Sequence, residues 1–181
     1  MPSASPELPQ PWDTFLAAVD ALLPDPVELH CLGGFVVAVR YHLPRPTGDL
    51  DYIEIIPHHA MEVLQRIAGP ESPLAKKYHL YVQHVGVASL LESYVERIEL
   101  LPSRFEKVRL LALEGHDLAL SKLARNSPVD REDVAHLIKV VPLDRKILRT
   151  RYQQELRPNI TGDPEIHDRT LQMWIDAYFG S

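Results

Sequence analysis

The chain has 181 residues and a formal net charge of −6, and hydrophobic residues make up 45% of it. This length and composition are typical of a soluble globular protein of one domain with a sizeable core. The negative charge excludes a general attraction to nucleic acid, so any such contact needs a local basic patch. With a single cysteine, Cys31, an internal disulfide is excluded, which fits a reducing cytoplasm.

The sequence contains no pattern for membrane insertion or secretion. No apolar run reaches the roughly 18 residues that a membrane span needs. The first residues also lack the basic and apolar regions of a signal peptide. Residues 1–11 contain four prolines and predict a flexible leader. We therefore expect a cytoplasmic protein without a membrane partner.

The first part of the chain predicts short strands alternating with helices. Apolar residues at helical spacing indicate a helix that Pro24 ends, and Gly33-Gly34 indicates a turn. A proline- and glycine-rich loop over 43–48 precedes a strand with polar and apolar residues in alternation. The predicted helices are 12–23, 35–42 and 59–68, and the predicted strands are 27–32, 49–56, 78–87, 94–101 and 108–113.

The pattern becomes helical after residue 114, with helices predicted over 117–125, 129–140, 143–156 and 164–178. The expected fold is α+β: a small mixed β-sheet flanked by helices, followed by a helical C-terminal lobe. The predicted organisation is a leader over 1–11, an α/β core over 12–114, and a lobe over 115–181 that packs on the core.

The chemistry-bearing pattern is a glycine pair that fourteen residues separate from Asp49-Leu50-Asp51. Residues two apart on a strand point to the same side, so the two carboxylates project together from one face. Such a pair repels unless a cation joins it, and a hard divalent cation with oxygen ligands does so. The amides of Gly33 and Gly34 can approach a phosphate without obstruction by side chains. An Asp-x-Asp after a loop is also common without any bound metal.

Two segments together resemble the nucleotidyltransferase superfamily with the polymerase-β-like fold. The first is Gly33-Gly34 followed by Thr47-Gly48-Asp49-Leu50-Asp51. The second contains Asp117-Leu118, Lys122-Leu123, Asp130 and Asp133, and is similar to the AbiEii/MenT-like branch. That branch includes toxins of toxin–antitoxin and phage-abortive systems. The resemblance implies a nucleotidyltransferase-like core and a reaction that uses a nucleoside triphosphate (NTP).

The resemblance also implies roles for individual residues. Asp49 and Asp51 would bind Mg²⁺ or Mn²⁺, and the segment containing Gly33, Gly34 and Thr47 would bind the nucleotide. Lys122 would contact triphosphate oxygens as a point charge. Asp130 would lie near the nucleotide as an acidic residue of the second half. Asp133, one helical turn further on, is equally well read as an acid on a helix face.

The sequence departs from the superfamily pattern at two points. Gly34 stands where many relatives have serine, and no third carboxylate can be placed. The predicted strand 78–87 carries His79, Gln83 and His84 but no acid, and Glu54 and Glu92 are the alternatives. Either the general base is missing, or His84 serves, or the substrate is deprotonated without one.

A basic stretch in the second half of the chain can be interpreted in two ways, and the acceptor of the nucleotide depends on which one holds. Residues 139–157 carry six positive and two negative side chains, with Arg145 and Arg149 one helical turn apart. These arginines form either a solvated helix face or a patch for an RNA backbone. We expect nucleotide transfer, toxin-like, onto tRNA or another RNA, with a cognate antitoxin as a further partner. The alternatives are an inactive nucleotide-binding or antitoxin-binding module, and a small-molecule nucleotidyltransferase.

Overall fold

The computed structural model describes residues 8–86 and 90–180, and their contacts divide the chain into two compact units. The first unit comprises the described residues up to Gly86 together with Ile98–Ala112. The second comprises the described residues between Gly86 and Ile98, and those from Leu113 onward. The described part of 87–97 therefore belongs to the second unit, whereas the sequence analysis assigned that segment to the core.

The first unit contains a five-stranded mixed sheet, which confirms the α+β prediction. The order across the sheet is β3-β2-β1-β5-β4. β1 runs antiparallel to β2 and parallel to β5, β2 runs parallel to β3, and β4 runs antiparallel to β5. The strands are β1 (Val27–Leu32), β2 (Asp49–Ile56), β3 (Tyr81–His84), β4 (Glu99–Leu101) and β5 (Val108–Ala112).

β2 carries the Asp-x-Asp pattern, and its bounds agree with the prediction. Leu50 and Tyr52 are fully buried, while the aspartates beside them are partly exposed, as the period of two requires. Beyond Tyr52 a β-bulge inserts one residue, because His30 pairs with Glu54 while Cys31 pairs with Tyr52. The bulge shifts the alternation, and Ile55 becomes the next buried residue.

The helices of the first unit are α1 (Trp12–Leu22), α2 (Gly33–Arg40), α3 (Met61–Ala68) and α4 (Pro73–Tyr78). α2 begins at the first glycine itself, two residues before the predicted start. Part of the predicted leader is packed rather than loose, since Leu8 is buried and the carbonyl of Pro9 accepts from the amide of Trp12. Residues 1–7 of that leader lie outside the described residues.

Two predicted strands were too long. α4 occupies the start of the predicted strand 78–87, because Ser72 caps its first turn and Pro73 suits the first helical position. Within the predicted range 78–87, only Tyr81–His84 forms a strand, which is β3. Val87 lies outside the described residues. A 3₁₀ turn over Tyr94–Glu96 occupies the start of the predicted strand 94–101, and only Glu99–Leu101 pairs.

The second unit is helical. It contains α5 (Gly115–Leu120), α6 (Pro128–Val140), α7 (Arg145–Arg151), a π-helical turn (Tyr152–Leu156) and α8 (Pro164–Phe179). Side chains of Glu114, Ser127, Asp144 and Asp163 cap the starts of α5 to α8. No helix in the described parts of the two units has the length and apolar composition that crossing a membrane requires.

Candidate functional site

Asp49 and Asp51 open β2 and share one face of the first unit's sheet. Fully buried Leu50 lies between them and anchors the strand, so both carboxylates are held at the partly exposed side. The hydroxyl of Thr47 donates to Oδ1 of Asp49 across 3.2 Å, which orients that carboxylate. The strand therefore presents two carboxylates and a hydroxyl within five residues.

Gly33 lies directly against this pair. Its φ is +74°, a region that L side chains rarely adopt, and a Cβ built on it would stand 2.8 Å from Oδ2 of Asp51. The same construction on Gly34 meets Oγ1 of Thr47 at 3.6 Å and Nη2 of Arg45 at 3.9 Å. The glycine pair thus has a carboxylate next to Gly33, and a hydroxyl and a guanidinium next to Gly34. Among these residues, Arg45 was not identified from the sequence.

Two side chains of β3 flank the carboxylates. Tyr81 is in register with Asp49, and Gln83 is in register with Asp51. Neighbours in register on parallel strands point to the same face, so Tyr81 and Gln83 stand where a third carboxylate was sought. Burial and then the charges of Asp49 and Asp51 raise the pKa of the Tyr81 phenol, which places it close to both.

The general base is therefore not supplied by β3. His84 is in register with Tyr52, on the face away from the carboxylates, and its Nε2 bonds the carbonyl of Ile53 at 3.2 Å. The hypothesis that His84 serves as the base is wrong for that reason. The strand bounds predicted from the sequence could not reveal this, because a one-residue change of register exchanges the two faces.

The donor set suits a magnesium-type ion that is completed by its substrate. Two carboxylates supply hard oxygen ligands, and Mg²⁺ commonly takes one or two protein carboxylates together with phosphate oxygens and water. Within residues 8–86 and 90–180, no three His, Cys, Asp or Glu side chains form a self-sufficient metal cluster. The residues present fit an ion that binds together with a triphosphate.

Gly33→Ala is expected to weaken binding of Mn²⁺ to Asp49 and Asp51, because the new methyl group would displace the Asp51 carboxylate. The left-handed backbone adds a destabilisation of about 1–3 kcal/mol. Gly34→Ala is the matched control, since its Cβ has only ordinary contacts and its φ is not left-handed. Mn²⁺ titration followed by electron paramagnetic resonance measures both variants. Equal affinities in the two would contradict the close packing of Gly33 on Asp51.

The residues predicted in the second half lie in the second unit and are buried. Nζ of Lys122 is 2.7 Å from Asp133 and 3.6 Å from Asp130, and all three side chains are at most 4% exposed. Asp130 also accepts from Nε and Nη2 of Arg125 and completes a capping box with Ser127 at the start of α6. Burial opposes the charge of Asp130, but the hydrogen bonds from Arg125 and Ser127 together lower the pKa of its carboxyl group. The predicted contacts of Lys122 and Asp130 with the nucleotide stay predictions.

Asp117, the first acid of the second segment, is the centre of another ion-pair cluster. It is 1% exposed and accepts from Arg97 at 2.8 and 3.2 Å and from Arg151 at 2.8 Å. The carboxylate of Glu155 accepts hydrogen bonds from Nη1 and Nη2 of Arg97, and the carboxylate of Glu114 accepts one from Arg151. Burial opposes the charge of Glu114, but hydrogen bonds from His116 and Arg151 bring its pKa to about 2.

The basic stretch 139–157 is divided between structural and exposed residues. Arg151 belongs to the Asp117 cluster, and Arg157 pairs with Asp168 at 2.9 Å. Arg145 and Arg149 on α7 are exposed, and Arg149 donates to Gln172 at 3.1 Å. The exposed basic residues of this stretch therefore lie on α7, together with Lys139 at the end of α6.

Comparison with known proteins gives a family over most of the chain. Residues 16–177 match the family described as nucleotidyltransferase of unknown function, DUF6036. Neither the search of curated proteins nor that of solved structures gave a match. The match includes the glycine pair, both aspartates of β2 and the Lys122 segment, and it agrees with the superfamily that the sequence motifs indicated. This chain belongs to the DUF6036 family of nucleotidyltransferases.

Proposed function

We propose that this protein is a metal-dependent nucleotidyltransferase that moves a nucleotide from an NTP to an acceptor. The observation that carries the proposal is the packing of Gly33 on Asp51, with Asp49 beside it on β2. This packing brings a backbone that can receive phosphate next to a carboxylate pair that can hold a divalent ion. Both features lie in the first unit and come from segments of the family match.

In the proposed reaction, an oxygen of the acceptor forms a bond to the α-phosphorus as the bond to the β-phosphate oxygen breaks. Pyrophosphate leaves with the electron pair, and the proton of the acceptor passes to solvent water. Asp49 and Asp51 would hold Mg²⁺ or Mn²⁺, which neutralises developing charge on phosphate oxygens when bound. The amides of Gly33 and Gly34, at the N-terminus of α2, would bind the polyphosphate.

The proposed acceptor is tRNA or another RNA, as in the toxin-like branch. Support comes from Arg145 and Arg149, which are exposed on α7 of a protein whose net charge is negative. A cognate antitoxin and a cytoplasmic location belong to the same proposal.

One observation favours a second candidate, a nucleotide-binding module without transfer activity. β3 presents Tyr81 and Gln83 beside the aspartates, in place of the carboxylate that would deprotonate an acceptor. Such a module would bind NTP and metal through the same residues and would act through a protein partner. The two candidates therefore differ in turnover and agree in binding.

The test is incubation of the full chain with each labelled NTP, Mg²⁺ or Mn²⁺, and total RNA. The expected result is label attached to RNA with one or two of the NTPs, and none when a chelator removes the metal. Label attached to the protein or to a small molecule would show that the acceptor is that molecule and not RNA. Binding of NTP and metal without any transfer would favour the module, and no binding at all would overturn both candidates.

A further inference from the structure

Arg45 lies beside the glycine pair, within the first unit. Nη2 of its guanidinium is 3.9 Å from the position of a Cβ on Gly34, the residue that follows the glycine packed on Asp51. A phosphate bound by the amides of Gly33 and Gly34 would therefore lie near both the Asp51 site and this cation. The triphosphate tail of an NTP carries negative charge that the metal ion leaves uncompensated. A cation at this position would balance that charge.

The loop over 43–48 holds Arg45 in place. Pro44 and Pro46 flank it and restrict the backbone on both sides, and its amide donates to the carbonyl of Leu43 across 2.8 Å. The same loop leads through Thr47 into Asp49, so the cation and the carboxylate share one short segment. Residues in a restricted loop lose less entropy when a ligand binds.

Lys122 is the cation that the family resemblance implies for the same task, and its side chain is buried. Its ammonium group is 2.7 Å from Asp133 and 3.6 Å from Asp130, and both carboxylates are 1% exposed. Moving this ammonium to a phosphate would leave buried carboxylates short of their partner, which is unfavourable. The local geometry of the second unit thus favours Lys122 as a structural residue.

We propose that Arg45, rather than Lys122, is the cation that binds the polyphosphate tail at the glycine pair. This proposal rests on the proposed function and adds a residue to it. An arginine suits the task because its planar guanidinium can bond two phosphate oxygens at once and keeps its charge at any physiological pH. Lys122 then stabilises the second unit through Asp133 and Asp130.

The experiment measures binding of inorganic tripolyphosphate with Mg²⁺ to the full chain by calorimetry. Arg45→Gln is expected to weaken binding about 10- to 100-fold, the range for a charge-assisted hydrogen bond to phosphate. Arg45→Lys keeps the charge but loses the paired geometry, and an intermediate loss is expected. Arg40→Gln is the matched control, because Arg40 is exposed at the end of α2 and pairs with Glu99. It should bind within about twofold of the wild type.

Lys122→Met provides the contrast. We expect a lower melting temperature with unchanged tripolyphosphate affinity, measured well below that temperature. The inference is overturned if Arg45→Gln and Arg45→Lys bind as tightly as Arg40→Gln, or if folded Lys122→Met loses more affinity than Arg45→Gln. Failure of the wild-type chain to bind tripolyphosphate would overturn the proposed function as well. Wild-type binding with no effect at Arg45 would overturn this inference alone.

Discussion

Asp51→Asn is expected to lower the rate of nucleotide transfer by about a thousandfold or more. The reason is that a carboxylate ligand holds the ion that stabilises transition-state charge, worth several kcal/mol, and each 1.36 kcal/mol is tenfold in rate. The same change at Asp49 should have a similar effect, because the two side chains share one face of β2. The measurement is the initial rate of label transfer at saturating Mg²⁺, with Mn²⁺ affinity measured in parallel.

Glu62→Gln is the control for this prediction. It removes the same charge from the same unit, but Glu62 is exposed on α3 and lies outside β2. Its rate and Mn²⁺ affinity should equal those of the wild type. If Asp51→Asn kept its activity, or if both variants lost activity equally, the carboxylate pair would not be the metal site.

Asp117→Asn is expected to give the largest loss of stability, about 3 kcal/mol or more of unfolding free energy. The side chain is buried and accepts hydrogen bonds from two arginines that are themselves about four-fifths buried. Neutralising it leaves the charges of Arg97 and Arg151 with one carboxylate each, Glu155 and Glu114. The partners that remain keep the loss from being larger.

Urea denaturation followed by circular dichroism measures this effect. Asp176→Asn is the control, because Asp176 is exposed on α8 of the same unit and accepts a hydrogen bond from the exposed Gln172 at 2.7 Å. Its unfolding free energy should stay within about 0.5 kcal/mol of the wild type. A loss below about 1 kcal/mol for Asp117→Asn would show that the cluster contributes no more than a surface ion pair.

Local patterns in the sequence were sufficient for several elements that carry the site. The alternation of Asp49 to Tyr52 predicts β2 and the shared face of the aspartates, because the side-chain period of a strand follows from its backbone geometry alone. α1 and α8 follow from apolar spacing and from proline or capping residues at their ends, which act within one helical turn. The glycine pair predicted a turn before the helix, but α2 begins directly at Gly33 and includes both glycines.

Features that depend on distant segments needed the tertiary structure. Gly33 and Asp51 are brought together by the pairing of β1 with β2, and Tyr81 is placed beside Asp49 by the register of β3. The sequence does not encode register in any short pattern, and an alternation is compatible with several pairings.

The sequence by itself determined the α+β class, the aspartate pair at the start of β2 and the motifs that indicate a nucleotidyltransferase. The tertiary structure decided that α4 occupies the start of a predicted strand and that His84 faces away from the aspartates. It also decided the burial of Lys122 and Asp117 among opposite charges. The physical reason is that strand and helix periods are local properties of the backbone, whereas burial and charge pairing depend on which segments meet in the folded chain.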